Sequence, residues 1–118
     1  MKKILIVDDE VDIAETMKML IELEGYAVEY TTDALKGLGI VKDFDLLILD
    51  IMMPKMSGRQ FLVEMKKRRV KTPVIVASSV GLPGEVQAEL MAKYKDIVVI
   101  SKPAMHTDLV PEIKRKIG

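Results

Sequence analysis

Residues 2–12 read KKILIVDDEVD. The apolar run Ile4–Val7 stops abruptly at Asp8, Asp9 and Glu10. An unbroken apolar run of this length suits a strand buried on both faces, as in a parallel sheet, rather than a half-exposed strand of alternating character. Three more runs have the same composition: Leu46–Leu49, Val74–Ala77 and Ile97–Ile100. A fifth, Ala27–Thr31, alternates more and is more polar, which places it at a sheet edge.

Helical patterns fill the gaps. Ile13, Met17, Leu20 and Ile21 fall at helical spacing between Val11 and Leu23, and Gly25 supplies a stop. Residues Ala34–Val41 predict a weaker helix, because Gly37 and Gly39 each cost about 1 kcal/mol relative to Ala. Arg59–Lys67 carries Phe61, Leu62 and Met65 on one side. Pro83 suits the first turn of a helix burying Val86 and Leu90. A last helix over Thr107–Ile117 buries Leu109, Val110, Ile113 and Ile117. Strand and helix thus alternate five times. Right-handed crossovers then give a parallel sheet with helices on both faces. Ligands of such sheets bind beyond the carboxyl ends of the strands, where the strand order reverses.

Composition limits the function. The 118 residues suffice for one domain, and with 49% hydrophobic residues a real core can form. Eighteen basic residues balance eighteen acidic ones, which argues against whole-domain affinity for nucleic acid or an anionic membrane. Cysteine is absent, so disulfides and thiolate metal sites are excluded, in keeping with a reducing cytosol. The first apolar run is too short for a signal peptide or a membrane span. Repeats and low-complexity segments are not evident. A soluble cytoplasmic domain is expected.

The opening acids then acquire a geometry. Asp8 and Asp9 end the first strand and Asp50 ends the third. If these strands are neighbours, three carboxylates converge and raise one another's proton affinity. A hard divalent cation relieves that repulsion, and Mg²⁺ favours oxygen ligands of this kind. The fourth strand ends in Ser78 and Ser79, the fifth in Ser101, Lys102 and Pro103. A hydroxyl and an ammonium facing a metal-bound carboxylate make a phosphoryl pocket, and Asp can serve as the nucleophile.

The set VDDE, LDIMMPKMSG, PVIVASS and SKP resembles the receiver domain of two-component response regulators. Each piece alone is weak; the four in order, over essentially the whole chain, are specific. The resemblance implies a flavodoxin-like three-layer α/β sandwich, with a five-stranded parallel sheet in order 2-1-3-4-5 and five helices. It implies one receiver domain over residues 1–118. It implies Asp50 as phosphoacceptor, Asp9 and Asp50 as direct Mg²⁺ ligands, Asp8 acting through water, and the backbone carbonyl of Met52 as a further ligand. Ser78 takes the place of the switch hydroxyl and Lys102 that of the phosphate-binding lysine. A cis bond between Lys102 and Pro103 is also implied.

Plainer readings stand beside these. Asp8, Asp9 and Glu10 can cap a helix. Pro54 and Gly58 read as turn residues shaping the loop after the third strand. Ser79 competes with Ser78, though strand alternation favours Ser78. Met17, Met65 and Met91 read as core fillers. The run Lys66–Lys71 reads as a solvated helix end far from the acids, and His106 as a surface residue. The chain departs from the family at Val99, where many receivers carry an aromatic, and at Lys95 and Asp96, where a Gly-Ala pair is common. The Gly81–Pro83 loop is a candidate mobile element. Met52 and Val80 border the expected path of attacking water and are expected to slow hydrolysis of an aspartyl phosphate.

The expected function is therefore a stand-alone receiver. It takes a phosphoryl group from a sensor histidine kinase or a histidine phosphotransfer protein onto Asp50, with Mg²⁺, and switches conformation. With no DNA-binding segment before Gly118, its output is expected through a protein target, onward relay or an output domain lost from the chain; a homodimer is left open. Three alternatives stand beside it. An Asp-nucleophile phosphatase would want a second Asp where Met52 stands. A flavin carrier would be repelled by DDEVD. A degenerate receiver would act only as an interaction module.

Overall fold

The computed structural model describes residues 1–79 and 82–118. Five strands alternate with five helices: β1 (Lys3–Val7), α1 (Val11–Glu22), β2 (Ala27–Thr31), α2 (Ala34–Ile40), β3 (Leu46–Asp50), α3 (Gly58–Lys67), β4 (Val74–Ser78), α4 (Gly84–Lys93), β5 (Val98–Ser101) and α5 (Met105–Ile117). Two short 3₁₀ turns, Val41–Asp43 and Lys102–Ala104, lead out of α2 and into α5. All strands are parallel, in the order β2-β1-β3-β4-β5. The order reverses between β1 and β3, the predicted switch point. Register places Val7 beside Leu49 and Asp50 beside Ala77.

Period-two alternation splits the core into two layers. Leu5, Val7, Leu47, Leu49 and Val76 face α2, α3 and α4, where Leu38, Phe61, Leu62, Met65 and Leu90 meet them. Ile4, Ile6, Leu46, Ile48 and Ile75 face α1 and α5, meeting Met17, Ile21, Leu109 and Ile113. All five residues of β3 are buried, which is why that run reads as continuously apolar. The polar run Ala27–Thr31 lies at the edge, as expected.

Local signals explain the helix ends. Asp33 caps α2 by accepting from Leu35 N at 3.0 Å and Lys36 N at 3.3 Å. A reciprocal capping box opens α3: Ser57 Oγ accepts from Gln60 N at 3.2 Å, and Gln60 Oε1 from Ser57 N at 3.0 Å. The same helix ends with Arg69 at φ 58°, its N–H on Lys66 O and the next N–H, of Val70, on Met65 O. That is a Schellman ending with arginine where glycine is usual.

Three expectations need correction, and a fourth is extended. Met91 is 61% exposed, because α4 buries only Leu90 fully and turns its other side to water. Pro83 precedes α4 as its N-cap instead of lying in the first turn. The Lys102–Pro103 bond is trans, as are all peptide bonds among the described residues; Pro103 sits in the 3₁₀ turn, where its fixed φ fits. Gly37 does more than weaken α2: a Cβ there would lie 2.7 Å from Val7 Cγ2, so its absence lets the helix settle on β1. Val80 and Gly81, which entered the expectations about hydrolysis and loop movement, lie outside the described residues.

Candidate functional site

The carboxyl ends of β1, β3, β4 and β5 open onto one crevice. Asp8 and Asp50 are 0% and 2% exposed, Ser78 is 1% and Lys102 is 3%. Burying such groups is costly unless each is paired or solvated internally. Lys102 is the cation that does this. Its Nζ lies 2.8 Å from Asp8 Oδ2, 2.8 Å from Glu10 Oε1 and 3.4 Å from Asp50 Oδ2. The backbone fixes the other carboxylate oxygens: Asp8 Oδ1 accepts from Glu10 N at 2.9 Å, and Asp50 Oδ1 from Met52 N at 3.0 Å.

Gly58 brings the β3–α3 loop back onto the strand end. Its N–H donates to Ile51 O at 3.0 Å. A Cβ at residue 58 would stand 2.7 Å from both Asp50 O and Ile51 Cα, closer than real side chains come. The turn reading of this glycine is therefore incomplete: the residue permits backbone to lie on backbone directly beneath Asp50.

Electrostatics follow from the crowding. Burial is the largest influence on Asp50 and pushes its carboxyl up; a hydrogen bond with Asp9 and the charge of Asp8 push the same way. The Met52 N–H and Lys102 pull it down, and the balance leaves it at about 7, against an ordinary 3.8. For Lys102 burial opposes the charged form, but hydrogen bonds and charge from Asp8, Glu10 and Asp50 outweigh it and hold the ammonium above its usual range.

The donor set fits a hard cation. Asp8, Asp9, Glu10 and Asp50 each offer one oxygen, and all four oxygens lie within 4.8 Å of one another. Four carboxylates face one buried ammonium, a mismatch that a divalent ion would relieve. Asp8 Oδ2 and Asp50 Oδ2 are buried against the Lys102 ammonium, and each keeps a second acceptor position to spare.

The site residues expected from sequence thus lie at this end of the sheet. Asp8, Asp9, Asp50 and Lys102 come together directly. Ser78 is buried at the end of β4, in register with Ser101, while Ser79 is exposed. Met52 supplies a backbone donor, and its side chain is 64% exposed. Glu10 was expected as a cap that could also serve the site. It holds the N-cap position without a side-chain cap hydrogen bond and reaches Lys102 instead. The run of three acids was the available signal, but a partner 92 residues away was not readable from it. Away from the site, His106 is exposed, Val99 is half-buried on the α4 side, and Lys66 lies over the Tyr94 ring at 5.8 Å.

A doubly wound parallel sheet with acids and a lysine at its switch point defines a phosphate-handling α/β class. The comparisons narrow it: the chain belongs to the response regulator receiver domain family, whose model matches residues 4–114. It is 40% identical over 76 residues to the response regulator SaeR of Staphylococcus aureus, a match covering 64% of this chain and 33% of that protein. The chain therefore aligns with about a third of the length of such relatives. A CheY-like receiver domain protein from Methanospirillum hungatei is 33% identical, with TM-score 0.85, over 98% of this chain and 93% of that one. The chemotaxis protein CheY4 of Vibrio cholerae is 27% identical, also with TM-score 0.85, over 99% of both chains. Among the described residues no helix is long and apolar enough to cross a membrane.

Proposed function

We propose that residues 1–118 form one receiver domain that accepts a phosphoryl group on Asp50 in the cytoplasm, from a sensor histidine kinase or a histidine phosphotransfer protein. The observation that carries this reading is the convergence of Asp50, three further carboxylates and buried Lys102 in one crevice.

Asp50 is the nucleophile. A carboxylate oxygen bonds to phosphorus as the P–N bond to the donor histidine breaks. Asp50 must be ionised to react, and in the metal-free site it is half protonated near pH 7. Asp9, Asp50 and the Met52 carbonyl would hold Mg²⁺ directly and Asp8 through water. Bound there, Mg²⁺ would favour the carboxylate form and neutralise charge on the phosphoryl oxygens. Lys102 contributes a second positive charge to the same oxygens. Ser78, buried at the end of β4, supplies the hydroxyl that follows the phosphoryl group. The phosphorylated surface then engages a downstream protein target or an output domain. Exposed Met52 shields the acyl phosphate from water and slows its autodephosphorylation.

The test is incubation with acetyl phosphate and Mg²⁺, followed by intact mass and proton–nitrogen NMR. A single phosphoryl increment is expected, absent without Mg²⁺ and absent in Asp50→Ala. An increment that survives Asp50→Ala would place the acceptor elsewhere.

A further inference from the structure

Resting on the phosphoacceptor reading above, we infer that Glu10 is a positioning residue: it aims the Lys102 ammonium away from Asp50 and is the partner that Lys102 gives up when a phosphoryl group arrives.

The argument begins with donor count. An ammonium has three N–H groups and no more. Three carboxylates already surround this one, at 2.8, 2.8 and 3.4 Å. A phosphoryl oxygen on Asp50 needs a donor from Lys102, and reaching it draws the ammonium toward Asp50 and away from a partner it now holds at 2.8 Å. The three contacts are unequal. Glu10 Oε1 and Asp8 Oδ2 hold the ammonium equally closely, at 2.8 Å each, whereas Asp50 Oδ2 stands off at 3.4 Å. The ammonium is thus held toward Glu10 and Asp8, and Asp50 is the most distant of the three.

Mobility is unequal too. The side chains of Asp8 and Asp50 are 1% and 2% exposed, and each is tied at Oδ1 to a backbone N–H. The Glu10 side chain is 51% exposed. Rotating it into solvent rehydrates a carboxylate, while moving either aspartate would leave a charge buried and unpaired. Glu10 also makes no side-chain cap for α1, so its release leaves the helix start unchanged. A half-exposed ion pair is weak enough to be exchanged.

The experiment uses the full chain, Mg²⁺ and beryllofluoride, with Glu10→Gln. Asp12→Asn is the control, since Asp12 lies in the first turn of α1 and makes no ion pair with Lys102 among the described residues. In Glu10→Gln, beryllofluoride should bind about fivefold more tightly, equivalent to about 1 kcal/mol. Because Glu10 Oε1 is already engaged by Lys102, Mg²⁺ affinity should fall by no more than about twofold. The Lys102 ammonium signal in lysine-selective NMR should shift before any ligand is added, which a change in overall charge would not cause. Asp12→Asn should leave all three readouts near wild type.

Equal gains in both variants would reduce the effect to net charge and overturn the proposal. A marked loss of Mg²⁺ affinity in Glu10→Gln would make Glu10 a metal ligand and overturn it as well. An unmoved Lys102 signal would show that Glu10 does not aim the lysine. If the wild-type protein itself fails to bind beryllofluoride, the phosphoacceptor reading falls and takes this one with it; the Lys102 signal, read without ligand, tells the two failures apart.

Discussion

The two ends of the sheet carry comparable amounts of charge and treat it in opposite ways. At the carboxyl end, Asp8, Asp50 and Lys102 are buried and mutually dependent. At the other end, Lys66, Lys67, Arg68, Arg69 and Lys71 crowd the turn after α3, and all are exposed. The Lys67–Glu64 pair there, at 3.3 Å, leaves the lysine side chain 70% exposed. Cations in that position are favoured by the helix dipole and screened by water. Charge density therefore does not mark the site. Burial of charge does, because only buried groups must answer to one another.

The comparison predicts very different responses to removing one charge. Lys102→Ala leaves buried carboxylates without their cation and should cost about 3–5 kcal/mol of stability at pH 8 without Mg²⁺. Chemical denaturation checks this, and added Mg²⁺ should recover part of the loss. A cost below about 1 kcal/mol would mean that the carboxylates relax without the lysine. Gly58→Ala acts at the same end through packing, by forcing a methyl against Asp50 O and Ile51 Cα. It should cost about 1–3 kcal/mol, whereas Gly39→Ala, with open space around it, should be neutral or mildly stabilising.

The pH dependence has a definite sign. The Asp50 carboxyl is raised from 3.8 to about 7 in the folded protein. Folding therefore favours its protonated form. That stabilisation is complete below the unfolded value and is lost as pH rises through about 7. Asp50→Asn removes the loss. In metal-free buffer at pH 8 its Tm should exceed wild type by on the order of 5 °C. Near pH 4 the two should melt together, and Mg²⁺ should close the gap at pH 8 by stabilising only the wild type. A gap independent of pH would assign the effect to something other than ionisation. The smallest effect belongs to the opposite end: Lys67→Ala should change stability by no more than about 0.5 kcal/mol at any of these pH values.

Much of this architecture could be read from residues because burial on both faces leaves a plain mark. Ile4–Val7 and Leu46–Leu49 admit no polar residue, and the acids stand directly at their carboxyl ends. Polar chemistry at the ends of apolar runs made Asp8, Asp9, Asp50, Ser78 and Lys102 visible together. What escaped were properties set by distant packing. Glu10 looks like a capping acid until Lys102 is placed beside it. Gly58 looks like a turn residue until the backbone of Asp50 and Ile51 is beneath it. Met91 follows the same apolar logic as Met17 yet faces solvent, because α4 lies over the sheet with a narrow apolar stripe centred on Leu90.

Lys102 belongs to the last strand–helix junction, whereas the acids it neutralises lie in the first half of the chain. If β1 and β3 pair before β5 docks, their acids meet before their counter-ion arrives. The early assembly therefore works against its own repulsion, and docking of the final strand relieves it. Refolding at alkaline pH should consequently quicken with ionic strength, and Asp50→Asn should quicken it without added salt.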